Sequence, residues 1–306
     1  MIYDNYGRPL TSMRISITQR CNSDCIYCHK EGITEGSVVE MAPGEIERIV
    51  RLCTWFGVRK VKITGGEPLL RKDVVQIVEG IAGVDGVKDI SMTTNATLLD
   101  ERAEELRKVG LDRINISLDT LKPEVFSKIT RGGELSRVLR GIEEAVNVGF
   151  RPVKLNMVVM KGINDGEIDG MLRAYSREGV VIQLIELVDS DRAFFQKYYY
   201  DLDEIEKELE GRAKEMVVRK LMHGRRKYTL NGAQVEVIKP MHNTEFCAHC
   251  TRIRITADGK FKPCLMRKDN LVDFLDEMRS GASDERLKEL FKKALEKREP
   301  FFKRAP

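Results

Sequence analysis

Six of the seven cysteines in this 306-residue sequence fall into two triplets, Cys21, Cys25, Cys28 and Cys247, Cys250, Cys264. The first has the spacing C-x3-C-x2-C, so three thiolates can converge on one metal centre from a single loop. Zinc wants four ligands and His29 is the available fourth, but it adjoins Cys28, and adjacent residues rarely both face one tetrahedral ion. A four-iron cluster held by three cysteines leaves one iron open to a substrate or cofactor, and the spacing favours this reading. The second triplet, C-x2-C-x13-C, brackets a β-prone run. With His242 and His249 nearby, a Cys3His zinc site and a second three-cysteine cluster stand equal on spacing alone. Cys53 lies alone in a helical pattern and reads as a small core residue. An odd number of cysteines argues against a disulfide framework.

Other residues could join such chemistry. Gly65-Gly66-Glu67-Pro68 allows close backbone approach to a ligand, or serves as a plain strand–helix turn. Thr93-Thr94-Asn95 and Ser117-Leu118-Asp119 each suit a cap or turn alone, but their recurrence at successive strand ends favours a site. Arg252 and Arg254 alternate after Cys250 and so share one strand face, where guanidinium forks suit phosphate oxygens. Lys62 sits inside an apolar strand, and a buried lysine needs a partner.

The elements that must position these residues are short. Strand candidates cover 14–18, 60–63, 89–93, 113–118, 153–159 and 180–186. They are dense in Val, Ile and Leu and not strictly alternating, which suits strands covered on both faces. Helical patterns lie between them: 101–109 after Asp100, 134–148, and 166–179 after Asp165. Strand–helix repetition predicts a parallel sheet. About six βα units fit before residue ~200, fewer than a complete barrel needs. The expected fold is α/β, a partial (β/α)6 open barrel, with a doubly wound sheet as the alternative. After Asp189 the pattern changes, with a helix at 202–209 and hairpins at 228–238 and 253–264, turning at Asn231-Gly232 and Asp258-Gly259. The expected division is a barrel over 1–201 and a β-hairpin and helical extension over 202–306 that carries the second triplet.

Composition narrows the setting. At 42% hydrophobic residues the chain can bury a core. No apolar run approaches the roughly 18–20 residues of a membrane helix, and the N-terminus has Asp4 and no apolar signal region, so a cytoplasmic location is expected. A net charge of +4 is too small to argue for nucleic-acid binding. Basic runs at 219–227 (RKLMHGRRK) and at Lys292, Lys293, Lys297, Arg298, Lys303 and Arg304 read as solvated surface charge.

CNSDCIYC after the first strand, with Tyr27 before its last cysteine, resembles the signature of the radical S-adenosylmethionine superfamily, and Gly65–Pro68 resembles its GGEP motif. The resemblance implies that the open iron chelates S-adenosylmethionine, whose one-electron cleavage yields a 5′-deoxyadenosyl radical. The segments RISITQRCNSDCIYC, VRKVKITGGEPLLR, TTNATLL, LDRINISLD, VKLNMVVMKGIND and CAHCTRIRITADGKFKPC more narrowly resemble the GTP 3′,8-cyclases of molybdenum cofactor biosynthesis. That implies a second [4Fe-4S] cluster on Cys247, Cys250 and Cys264 contacting guanine, hydrogen abstraction at ribose C3′, and ring closure at guanine C8. It maps S-adenosylmethionine contacts onto Tyr27, Gly66, Ser117 and Val188, and GTP contacts onto Arg14, Lys62, Thr93, Lys154, Arg252 and Arg254. Catalysis falls to Cys21, Cys25, Cys28, Arg252 and Arg254. An external electron donor, a homodimer, and cyclic pyranopterin monophosphate synthase as acceptor of the product are also implied, with no membrane or nucleic-acid partner. This sequence departs from the family in four places. Lys62 and Gln183 stand where arginine is usual, Val188 stands where methionine is common, and FFKRAP stands where a Gly-Gly tail reaches the active site. Two rival functions are a peptide-modifying radical enzyme with an auxiliary cluster, whose cluster domains usually hold more cysteines, and a zinc-binding regulator.

Overall fold

A computed structural model describes residues 2–33 and 39–303. Six parallel strands form its centre: β1 (Ser12–Ser16), β2 (Lys60–Thr64), β3 (Asp89–Thr94), β4 (Arg113–Ser117), β5 (Val153–Val159) and β6 (Val180–Glu186). They neighbour one another in chain order. A doubly wound sheet reverses its strand order at a switch point, and this one does not, so the partial barrel is the fold. Helices at Pro43–Trp55, Val74–Ala82, Ala103–Lys108, Leu135–Asn147 and Ile168–Ala174 provide the connections. The helix expected from Asp100 begins later, at Ala103, because Asp100 lies in a turn and its carboxylate accepts from Arg140.

The rest of the chain extends both edges of the same sheet. Strands β7 (Glu215–Arg219), β8 (Arg225–Thr229) and β9 (Gln234–Ile238) join through β9, which runs parallel to β6. Strands β10 (Arg252–Ile255), β11 (Lys260–Lys262) and β12 (Val272–Asp273) join through β10, parallel to β1. Both expected hairpins form, at the Asn231-Gly232 and Asp258-Gly259 turns. The helix Asp284–Glu296 packs on Pro43–Trp55, and Phe291 stacks 4.4 Å from Phe56.

The central strands alternate more strictly than the sequence reading allowed. Met13, Ile15, Val61, Ile63, Ile90, Met92, Ile114, Ile116, Leu155 and Met157 are all buried. The residues between them are polar: Arg14, Lys62, Ser91, Thr93, Asn115, Ser117, Lys154 and Asn156. Since successive side chains take opposite faces, one face is hydrocarbon under the helices and the other is a polar concave face. Register joins the polar residues into rows. Arg254, Arg14 and Lys62 are cross-strand neighbours, as are Ser117, Asn156, Gln183 and Glu236.

Candidate active site

The loop after β1 carries the first triplet and is tied down on three sides. Asp24 and Ile26 donate backbone N–H groups to the carbonyls of Thr130 and Ile129. Gly66 and Glu67 donate theirs to Thr18 and Arg20, each at 2.8 Å. A Cβ on Gly66 would lie 2.1 Å from the Arg20 carbonyl oxygen, so only glycine lets the two loops meet. The Tyr27 hydroxyl donates to Asp119 at 2.7 Å, and Asp119 also accepts from the Val158 N–H. Burial pushes Asp119 up to about 6 despite these bonds. Glu67 is raised to about 6 by burial too, and it accepts from Leu69, Thr94 and Asn95, joining the second and third strand ends.

Cys21 and Cys28 keep exposed surface and Cys25 is half-buried, yet partial desolvation, and then nearby carboxylates and one another, push all three thiols up. Three soft sulfurs on one loop that resist ionising alone suit a cationic iron–sulfur centre, which binds them as thiolates. The second triplet differs. Burial raises Cys250, but Arg298, Arg252 and Arg8 outweigh it and hold the thiol below its usual value. Arg8 also donates to the Cys247 carbonyl, and Arg298 to that of Cys250. The Cys250 thiolate is thus favoured, whereas burial raises Cys247. His249 pairs with Glu245 and His242 packs on Phe302, so each candidate fourth ligand of the rival zinc site has another contact. Among the described residues, no three His, Cys, Asp or Glu side chains are placed to hold a single metal ion.

A cavity of about 340 Å³ opens on the polar face of the sheet. Arg14, Tyr27, Lys62, Thr93, Ser117, Lys154, Val188, Arg252 and Arg254 line it, together with Cys247, Cys250 and Cys264. Cys21, Cys25, Cys28 and Gly66 do not. The three cysteines share the loop after β1 with the lining residues Tyr27 and His29, and Gly66 lies on the adjoining loop after β2.

The cavity is over-supplied with positive charge. Lys62 makes no ion pair among the described residues. Burial and its neighbours Arg14, Arg252, Lys154 and Arg225 press it well below the usual lysine range. Arg252 is likewise lowered by burial, then by Arg14, Arg254 and Arg225. The partner that Lys62 was expected to need is therefore not a carboxylate among the described residues. Arg14 and Arg254 do share one, Glu31, at 3.3 and 2.7 Å. These cations lower Glu31 to about 2, against the opposing effect of burial. Arg14 Nε, His29 Nδ1, Thr93 Oγ1, Asn156 Oδ1, His223 Nδ1 and Arg225 Nε are buried without a hydrogen-bond partner among the described residues, and all six residues line this cavity. Buried polar atoms are otherwise nearly always satisfied, so the space is shaped for a polar, anionic occupant.

Several residues here escaped the sequence reading. Glu236 on β9 is 1% exposed and accepts from Lys154 Nζ at 2.9 Å, from Gln183 and from Arg219. The basic run at 219–227 is not simply surface charge. Arg219 and Arg225 turn toward Glu236, while Arg226 between β8 neighbours faces outward and pairs with Glu210. In the C-terminal run, Arg298 is 1% exposed and pairs with Asp4 at 2.9 Å, while Arg304 lies outside the described residues. A charge inside an apolar run, as in QVEVI, was the available signal for Glu236.

Residues 15–175 match the Radical SAM superfamily, and residues 180–303 match Molybdenum Cofactor Synthesis C. A protein of Thermococcus kodakarensis named "Probable GTP 3',8-cyclase" is 51% identical over 99% of this chain and 100% of its own length. One so named from Methanothermobacter marburgensis is 49% identical over 98% of this chain and 99% of its own. Among solved structures, Streptococcus suis SuiB bound to S-adenosylmethionine superposes with a TM-score of 0.63 at 19% identity. It matches 84% of this chain, which spans 60% of SuiB, and the likeness is one of fold.

Proposed function

The chain belongs to the GTP 3′,8-cyclase family of radical S-adenosylmethionine enzymes, and on that premise we propose how its residues divide the first step of molybdenum cofactor biosynthesis. Cys21, Cys25 and Cys28 hold the cluster that, when bound, supplies the electron for cleaving S-adenosylmethionine. Tyr27, anchored by Asp119, and Gly66, packed on the cysteine loop, fix the position of that loop. Ser117 and Val188 border the space beside it. Cys247, Cys250 and Cys264 hold a second [4Fe-4S] cluster, and the arginines around Cys250 favour its thiolate form. Arg14, Lys62, Thr93, Lys154, Arg252 and Arg254 bind GTP, with phosphate as the missing counter-charge. The observation that carries this reading is Lys62, set among Arg14, Arg252, Lys154 and Arg225 with no ion pair among the described residues, beside polar atoms left unsatisfied.

In this reading residues 1–201 carry the radical chemistry and 202–306 close the substrate site. An external donor supplies the electron, and the product passes to cyclic pyranopterin monophosphate synthase. A homodimer in the cytoplasm is the expected setting, and no helix among the described residues is long and apolar enough to cross a membrane. Iron analysis tests the cluster assignment. Reconstituted protein should bind about eight iron atoms, and the Cys247/Cys250/Cys264 triple-alanine variant about four. A variant that keeps all its iron would overturn the second site.

A further inference from the structure

Arg225 opens β8, on the hairpin next to the barrel edge, and its side chain is only 10% exposed. Its guanidinium lines the same cavity as Lys62 and Arg252 and contributes to the positive field on both. Its nearest carboxylate is Glu236, at a long 4.0 Å, and that group already accepts from Lys154, Gln183 and Arg219. The Arg225 Nε is buried with no hydrogen-bond partner among the described residues. Phe246 lies under the guanidinium, 5.9 Å from ring centre to Cζ, and restricts where it can go. His223, two residues earlier on the same hairpin, stacks on Phe246 at 4.1 Å and leaves its own Nδ1 unsatisfied at the cavity wall.

An arginine whose Nε has no hydrogen-bond partner among the described residues is thus held beside Lys62 and Arg252, which form no ion pair among those residues. It is placed for an anion beyond the distant, already shared Glu236. Its position fits a need set by the sheet. Gln183, a neutral side chain on β6, is cross-strand neighbour to Glu236 and gives it an amide hydrogen bond. The barrel strand therefore brings no cation at that point, and the hairpin brings one from the opposite side of Glu236. We propose that Arg225 is a substrate-binding residue that contacts the polyphosphate of the nucleotide, supplying from the hairpin the guanidinium that β6 lacks.

This proposal rests on the GTP reading above, and binding distinguishes the two. Equilibrium dialysis of the reconstituted, anaerobic full chain would compare GTP, GMP and guanosine for wild type, Arg225→Gln, Arg225→Lys and Arg226→Gln. Arg226 is the control because it is the next residue, equally charged, and faces outward to Glu210. Arg225→Gln is expected to weaken GTP about tenfold, GMP less, and guanosine not at all, with Arg226→Gln within about twofold of wild type. Arg225→Lys keeps charge but loses the fork, and is expected to weaken GTP about threefold. It decides the matter if the glutamine variant does not fold. Unchanged GTP affinity in the Arg225 variants, or an equal loss for guanosine or for Arg226→Gln, would overturn the proposal. Failure of wild type to bind GTP would instead refute the substrate reading.

Discussion

Replacing Glu236 by Gln removes the buried carboxylate on which Lys154, Gln183 and Arg219 converge. Lys154 is 5% exposed and Glu236 1%, so neither can turn to water when its partner goes. Breaking such a pair from one side costs about 3–5 kcal/mol, because a buried charge is left uncompensated. With an unfolding entropy of about 2.1 cal/mol/K per residue, a 306-residue chain loses roughly 5–8 °C of melting temperature for that energy. The same change should strengthen GTP binding, since the triphosphate no longer competes with Glu236 for Lys154 and Arg225. If affinity rises tenfold, saturating GTP returns about 1.4 kcal/mol more to the variant than to wild type, or roughly 2 °C. Thermal melts of both proteins, with and without GTP, read both effects. A variant that melts like wild type would refute Glu236 as the counter-charge of Lys154. A variant destabilised but no more responsive to GTP would refute the idea that these cations wait for phosphate.

Lys154 makes GTP binding pH-dependent. Burial pulls it down to about 8, further than Glu236 holds it up, so the free site loses this charge as pH rises through 8. GTP affinity should therefore fall above pH 8, by up to about tenfold per unit, and Lys154→Arg should move that fall to higher pH. The same shift makes the group's own contribution to stability rise with pH above 8, because the unfolded chain then holds the proton that the folded chain has lost. Gly66→Ala drives a Cβ into the Arg20 carbonyl at 2.1 Å. It should displace the cysteine loop and lower iron incorporation at the first site, by about half or more of that cluster's iron, although no ligand is touched. Cys25→Ala should abolish S-adenosylmethionine cleavage, whereas Arg252→Ala should weaken GTP binding by about tenfold or more and leave uncoupled cleavage. Equal loss of both activities in the two variants would contradict this division.

The barrel was legible because six short apolar strands separated by helical patterns admit few topologies. The motifs were legible because C-x3-C-x2-C and Gly65–Pro68 are local, and the loops they form are nearly contiguous with the strands. Pairings across the sheet were less accessible. Nothing local singles out Asn115 or Asn156, and Gln183 stands out only as a departure from the family, but register aligns them with Lys154, Ser117 and Glu236 into the polar rows that make the cavity. Arg225 and Arg298 looked like members of charged surface runs. Alternation along β8 turns Arg225 inward and Arg226 outward, and Asp4, 294 positions away in sequence, draws Arg298 into the core. Such partners are fixed by tertiary contact, which no local pattern reports.

The central claim is that this protein couples cleavage of S-adenosylmethionine to cyclisation of GTP. Anaerobic turnover of the reconstituted, reduced protein with both compounds, followed by mass spectrometry, tests it most directly. The account predicts 5′-deoxyadenosine together with a new isomer of GTP in equal amounts. Cleavage of S-adenosylmethionine that is indifferent to GTP and yields no isomer would contradict it.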